Sequence, residues 1–124
     1  MQNNNIDLYS FVIRGVKIKV CDLMKMLNIE QSQIGVEDVY NNFLYFKDRF
    51  HKTFSVEATG NIFENIDYTI IIIGEDIGYI INGEVEEFDD RTQEQDNELL
   101  NRLKKFGITG TLKTFIQVIS KNNE

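Results

Sequence analysis

The sequence is poor in the residues from which small proteins build covalent cross-links and metal sites. It contains one cysteine, Cys21, one histidine, His51, no proline and no tryptophan. A single cysteine excludes an internal disulfide and is typical of reducing compartments, so we expect a cytoplasmic protein. One thiol and one imidazole cannot supply the usual ligands of a zinc site. We therefore predict that the chain folds without a metal, a cofactor or a disulfide.

Long apolar runs and an export signal are also missing. The longest apolar run, residues 70–73, is far shorter than the ~18 residues that a membrane span needs. The first five residues have neither the basic nor the apolar region of a signal peptide, and we expect them to be flexible. No contact with a membrane is predicted.

Patterns typical of enzyme sites are not found either. No nucleophile signature surrounds Cys21 or His51. Three glycines, Gly74, Gly78 and Gly83, fall at predicted turns rather than between a strand and a helix start, so they do not predict a phosphate loop. Acid–base catalysis needs one carboxyl group in an apolar pocket, whereas a run of carboxylates is expected to be solvated. We predict a protein that is not an enzyme.

The composition nevertheless predicts a globular fold. Of the 124 residues, 42% are hydrophobic and 11% are aromatic, which suits one domain over residues 1–124. The patterns below predict an α+β domain: an antiparallel sheet of about five strands, with a long aromatic-rich helix and C-terminal helices packed on it. The many isoleucines and asparagines suit an AT-rich coding sequence, which is compatible with a viral or mobile-element origin.

The N-terminal segment predicts a hairpin followed by a short helix. Residues 6–13 are rich in β-branched and aromatic residues, and residues 16–20 alternate between apolar residues and lysine. Arg14 and Gly15 separate the two runs and predict a turn. Residues 21–27 then show helical spacing.

Residues 36–55 predict one long helix with an aromatic face. Apolar residues recur at intervals of three and four, but between Phe43 and Phe46 they extend around more than half of the circumference. A sheet covers only one side of such a helix. We therefore predict that the helix between Tyr40 and Phe54 also meets another helix or a second subunit, as in a homodimer.

The middle of the chain predicts a three-stranded meander. Residues 67–73 form an apolar strand, residues 74–76 a turn, and residues 77–81 a returning strand. Four consecutive isoleucines indicate burial on both faces and hence a central strand. The Asn82-Gly83 dipeptide is the strongest hairpin signal in the chain and predicts which residues face each other: Ile81 faces Glu84, and Ile80 faces Val85.

The C-terminal part predicts a capped helix. Thr92 and Gln95 have the spacing of a capping box, and Gly107 stands where a helix C-terminus is expected. Residues 111–120 match both a helical template and an edge strand, and we favour the helix.

Most of the negative charge lies in one stretch. The formal net charge is −7, and residues 84–98 contain eight acidic residues against Arg91 as their single base. Such focused charge is a candidate docking surface because it speeds association with a cationic partner. The candidate partner-binding residues are Glu84, Glu86, Glu87, Asp89, Asp90, Glu94, Asp96 and Glu98.

Two explanations of this acidic run stay open. Glu84, Glu86 and Glu87 lie on a predicted strand, where carboxylates are unfavourable. They either protect a strand edge from aggregation or present a surface to a partner. On the second explanation the protein is a non-catalytic binding module, such as an immunity, anti-defence or inhibitor protein, that docks on the basic surface of an effector or nuclease.

A small dimeric DNA-binding regulatory domain is the alternative function. Four cations, Arg14, Lys17, Lys19 and Lys25, lie close together in the sequence. A sequence pI of about 4.7 opposes this alternative, since proteins that bind nucleic acid usually present a basic surface. We therefore expect no nucleic-acid partner.

Overall fold

The part of the chain that the structure describes folds into a five-stranded antiparallel sheet with helices packed on one of its faces. The computed structural model describes residues 5–30, 39–59 and 70–123. The predicted α+β class and the predicted number of strands are confirmed. Along the chain the elements are β1 (Asn5–Lys19), α1 (Val20–Met26), α2 (Val39–Phe50), β2 (Ser55–Thr59), β3 (Ile70–Ile81), β4 (Glu84–Phe88), α3 (Gln93–Lys105) and β5 (Lys113–Asn123).

The two long strands, β1 and β3, form the middle of the sheet. β5 pairs with the outer side of β1. On the outer side of β3, β2 pairs with residues 70–74 and β4 pairs with residues 78–81, so that these two short strands lie end to end. The predicted central strand of isoleucines is therefore confirmed: Ile71, Ile72 and Ile73 are all buried.

Two predicted turns are wrong, and both are glycine positions inside continuous strands. Gly15 lies in β1 and Gly74 lies in β3, and the two residues face each other directly. A Cβ on Gly15 would overlap the carbonyl oxygen of Ile73, and a Cβ on Gly74 would overlap that of Arg14. The glycines therefore allow a close approach of two backbones, which a sequence pattern cannot distinguish from a turn.

The predicted hairpin at Asn82-Gly83 is confirmed. Both residues have positive φ, 50° at Asn82 and 83° at Gly83, as a two-residue turn of this kind requires. The predicted register is also confirmed, because Ile81 faces Glu84 and Ile80 faces Val85.

The predicted helix over residues 111–120 is wrong, because the chain forms β5 from Lys113 onward. β5 pairs with β1 from Asn5 to Gly15 and thereby satisfies the backbone groups of a long strand edge. β5 also contacts β2, the strand at the opposite edge of the sheet: Gln117 Nε2 donates a hydrogen bond to the carbonyl oxygen of Ala58 in β2 at 3.1 Å. The sheet therefore curls away from the helices, and Ile13 and Ile72 are buried on this concave face.

The predicted long helix is shorter in the structure. α2 ends at Phe50, and β2 begins at Ser55. Residues 36–38 and residues 1–4 lie outside the described residues, and β1 begins at Asn5. Among the described elements, α3 is the one helix after β4. Its capping box is confirmed. Thr92 Oγ1 accepts a hydrogen bond from the backbone N–H of Gln95, and Gln95 Oε1 accepts one from the backbone N–H of Thr92.

The main core lies between the helices and one half of the sheet. Rings from α2 and from the segments that follow α2 and α3 stack edge to face, with Phe54 and Phe106 5.5 Å apart. No helix in the described part of the chain is long and apolar enough to span a membrane. The largest fully buried side chains of this core are Phe46, Phe50, Leu23, Ile71, Ile73, Leu99, Leu103 and Ile108.

Candidate protein interface

Five of the eight candidate acidic residues are exposed on or beside one edge strand. β4 pairs with β3 on one side, and the described residues place no strand on its other side. Each of its five residues is exposed. We call this group of carboxylates the acidic edge: Glu84, Glu86, Glu87, Asp89 and Asp90.

An open pocket of about 550 Å³ lies beside the acidic edge, on the face of the sheet away from the helices. The register places Glu87 opposite Tyr79 and Tyr79 opposite Phe11, so these three residues form a row across β4, β3 and β1. Both aromatic rings are more than one third exposed. The pocket is lined by Phe11, Asp76, Ile77, Gly78, Tyr79, Glu87, Phe88 and Asp89.

The chemistry of this pocket suits a cationic side chain. A guanidinium or ammonium group is attracted both to an aromatic face and to a carboxylate, and here Phe11 and Tyr79 line the same pocket as Asp76 and Glu87. The sequence did not reveal Phe11, Tyr79 or Asp76 as site residues. Because residues 74–76 were predicted to form a turn, the sequence did not indicate that Asp76 lies in a strand and lines the pocket.

Glu57 adds negative potential to the same face of the sheet. It lies in β2, opposite Ile72 of β3, and is partly buried. Burial raises the pKa of the Glu57 carboxyl group, Lys47 counteracts this shift, and repulsion from Asp76 adds to it. The two carboxylates are close enough to interact, and Lys47 already balances part of the charge of Glu57.

Asp96 lies apart from the acidic edge and is used inside the protein. Its carboxylate accepts hydrogen bonds from Arg14 Nη2 at 2.9 Å and Nε at 3.2 Å, and from Arg91 Nε at 3.4 Å. The hydrogen bond from Arg14 is the main reason why the pKa of the Asp96 carboxyl group is lowered. Arg91 continues the network to Glu75 at 2.9 Å, and Glu75 also pairs with Arg102.

The remaining two candidates, Glu94 and Glu98, are exposed on α3. Glu94 lies in the first turn of that helix, where a carboxylate complements the helix dipole. The structure therefore brings five candidates together at the acidic edge and assigns the other three to a helix.

The four cations near the N-terminus do not form one patch. Arg14 faces α3, where it binds Asp96, while Lys17 and Lys19 are exposed on the concave face. Lys25 is exposed on α1.

The exposed side of α2 carries little apolar surface that the structure describes. Leu44 is 39% exposed and lines a shallow depression of about 410 Å³ with Lys47, Asp48 and His51. The side chain of Tyr40 lies outside the described residues. His51 itself is bound locally, through Nδ1 to the carbonyl oxygen of Asp48 at 2.8 Å.

The described residues contain no group of three or more side chains suited to hold a metal ion. No protein-family model, no curated protein and no solved structure matches the chain.

Proposed function

We propose that this protein is a non-catalytic binding module whose acidic edge docks on a basic surface of a partner protein, in the manner of an immunity, anti-defence or other inhibitor protein. The observation that carries the proposal is the pocket beside β4. Two residues of the acidic edge, Glu87 and Asp89, line it together with a third carboxylate, Asp76, and three aromatic residues, Phe11, Tyr79 and Phe88.

The pocket favours docking over a purely protective role for the charge. Carboxylates that only keep a strand edge soluble need no aromatic neighbours, since charge alone deters edge-to-edge pairing. A partner arginine would stack on Phe11 or Tyr79 and pair with Asp76 or Glu87. The other carboxylates of the acidic edge would attract further cations and speed association.

The test uses a fluorescently labelled peptide of alternating arginine and glycine as the cationic probe. The triple variant Glu84→Gln, Glu86→Gln, Glu87→Gln should associate more slowly and lose much of its dependence on salt, while its melting temperature stays nearly unchanged. Asp76→Asn should also weaken binding, although Asp76 lies outside β4. Fluorescence anisotropy at low and high salt measures both effects.

A second triple variant provides the matched control. Asp22→Asn, Asp48→Asn, Glu98→Gln removes the same charge from exposed positions on α1, α2 and α3. If the two triple variants lose the same amount of binding, the effect depends only on net charge, and the proposal is contradicted. Unchanged binding combined with lower solubility of the β4 variant would mean that the acidic edge only protects the sheet.

A further inference from the structure

The face of the sheet that carries the helices is covered over only part of its length. The boundary is the ion-pair network in which Arg14 of β1 and Glu75 of β3 bind residues on or just before α3. On one side of this network, Val16 and Ile73 are buried under the helices. On the other side, the same face continues along β1 and β3 and is joined there by β4 and β5. We call this second part the open end.

Two rows of mostly apolar residues cross the four strands of the open end. Directly opposed residues of antiparallel strands point to the same face, and β1 keeps strict alternation, so the register defines the rows. Across β5, β1, β3 and β4 in that order, the rows are Val118, Ser10, Ile80, Val85 and Ile116, Val12, Gly78, Phe88.

The outer members of these rows are far more exposed than strand residues on a packed face. Val85 is 64% exposed, Val118 60% and Ile116 59%. Phe88, which stands on the edge strand and also borders the pocket, is more than half exposed. The inner residues Ser10 and Val12 are buried by their neighbours. Within the described chain, no helix lies over this surface. Contiguous apolar surface of this kind typically marks an interaction site.

The dimensions of the open end match one α-helix. Four strands spaced about 4.8 Å apart span about 14 Å, and a helix with its side chains is about 10–12 Å across. A helix is also what covers the neighbouring half of the same face, where α2 and α3 supply Phe46 and Leu99. A single added helix would therefore continue the helical layer of the domain.

The charges around the open end select a cationic occupant. Its β4 side carries the acidic edge, and Glu94 is exposed in the first turn of α3. A second copy of the chain would bring another net charge of −7 against these carboxylates, which is unfavourable. A helix with one apolar stripe flanked by lysine or arginine would match both the rows and their border.

We propose that the open end binds one amphipathic, cationic helix of a partner protein. The apolar stripe of that helix packs on the two rows, and its basic residues reach the acidic edge. This inference rests on the proposed function and names the partner segment that the acidic edge attracts.

The test compares two labelled peptides made only of leucine and lysine, each about five helical turns long. One has leucine at helical spacing, and the other has the same composition in an order that forms no apolar stripe. The wild-type protein should bind the first at least tenfold more tightly. The double variant Val85→Thr, Val118→Thr should lose about this tenfold preference, because each threonine hydroxyl group would be buried without a hydrogen-bond partner. Both substitutions keep a β-branched residue on the strand.

Two controls separate the apolar contribution from the charge. Leu44→Gln with Met26→Gln removes exposed apolar side chains elsewhere and should leave the preference intact. Glu84→Gln with Glu86→Gln should weaken both peptides alike. Circular dichroism and thermal melting verify that each variant is folded.

Three outcomes would overturn this inference. If wild type binds both peptides equally while the β4 variants weaken both, the acidic edge docks cations and the open end does not bind a helix. If neither leucine–lysine peptide binds but the arginine–glycine probe does, the proposed function is supported and the open end does not bind a helix. If light scattering shows a dimer that Val85→Thr with Val118→Thr converts to a monomer, a second copy covers the open end.

Discussion

Arg14 and Asp96, which are 82 residues apart in the chain, form a two-pronged ion pair between β1 and α3. Arg14 Nη2 lies 2.9 Å from one carboxylate oxygen of Asp96, and Arg14 Nε lies 3.2 Å from the other. The pair anchors the start of α3 on the sheet. It also marks the line beyond which the helical layer ends and the open end begins.

Asp96→Asn should lower the free energy of unfolding by about 1–3 kcal/mol, the usual cost of losing hydrogen bonds to a charged group. The amide would place an N–H group against a guanidinium group that can only donate. Glu94→Gln is the matched control, since it removes the same charge from the same helical turn and costs only about 0.3–1 kcal/mol through the helix dipole. Urea unfolding of both variants measures the difference, and equal losses would contradict the role of the ion pair.

The advantage of wild type over Asp96→Asn should disappear in acid. The pKa of the Asp96 carboxyl group is lowered in the folded state, chiefly by the hydrogen bond from Arg14. Its stabilising contribution is therefore complete above the pKa of the unfolded chain and is lost as the pH falls through the lowered folded pKa. Unfolding free energies of both proteins over a pH series test this. A difference that persists in strong acid would mean that another contact is responsible.

Glu57→Gln should have the opposite pH dependence. Burial is the main reason why the folded-state pKa of the Glu57 carboxyl group is raised. Below the unfolded pKa the group is neutral in both states, and as the pH rises through the raised folded pKa the folded protein must bury a charge. The variant should therefore gain stability relative to wild type near neutral pH and lose that gain in acid. Glu86→Gln, at an exposed position of β4, is the control that should show no such gain.

Gly83→Val should lower the free energy of unfolding by about 1–3 kcal/mol, because a β-branched residue resists positive φ. Apart from Gly83 and its two chain neighbours, no residue has a heavy atom within 4 Å of the position that a Cβ would take, so the cost comes from the backbone and not from a collision. Gly83→Asn should cost clearly less, since asparagine tolerates this conformation. Thermal melting of the two variants separates the causes, and equal losses would point to a different turn.

Gly15→Ala and Gly74→Ala should each destabilise the fold by about 1–3 kcal/mol or more, since the new methyl group collides with backbone that cannot move aside. Gly110→Ala is the comparison. Its Cβ would lie 3.1 Å from a methyl group of Val16, which can adjust its position. If all three variants melt alike, the two central strands are not as close as the structure has them.

The two kinds of glycine explain why some predictions from sequence succeeded and others failed. Asn82-Gly83 is followed at once by a strand that pairs back, so the turn and its register depend on neighbouring residues alone. Arg14-Gly15 resembles the same signal, but Gly15 meets Gly74 nearly sixty residues later. No residue near Gly15 in the sequence indicates that Gly15 will contact Gly74.

The candidate interface divides in the same way. Local composition located the acidic edge, because an exposed strand after a tight turn can be identified within a few residues. The pocket could not be found this way, since Phe11, Tyr79 and Glu87 come together only through strand register. Asp96 belongs to the same acidic run, yet its contact with Arg14 gives it a structural role.

The sequence by itself determined the α+β class, the Asn82-Gly83 hairpin and the capping box of α3, because each depends on backbone preferences and hydrogen bonds within a few residues. The tertiary structure decided that residues 113–123 form a strand. That segment is compatible with a helix or a strand, and the free edge of β1 stabilises the strand. Sheet pairing and ion pairs between distant residues bring together groups that no local pattern relates, so the pocket, the open end and the internal role of Asp96 exist only in the folded chain.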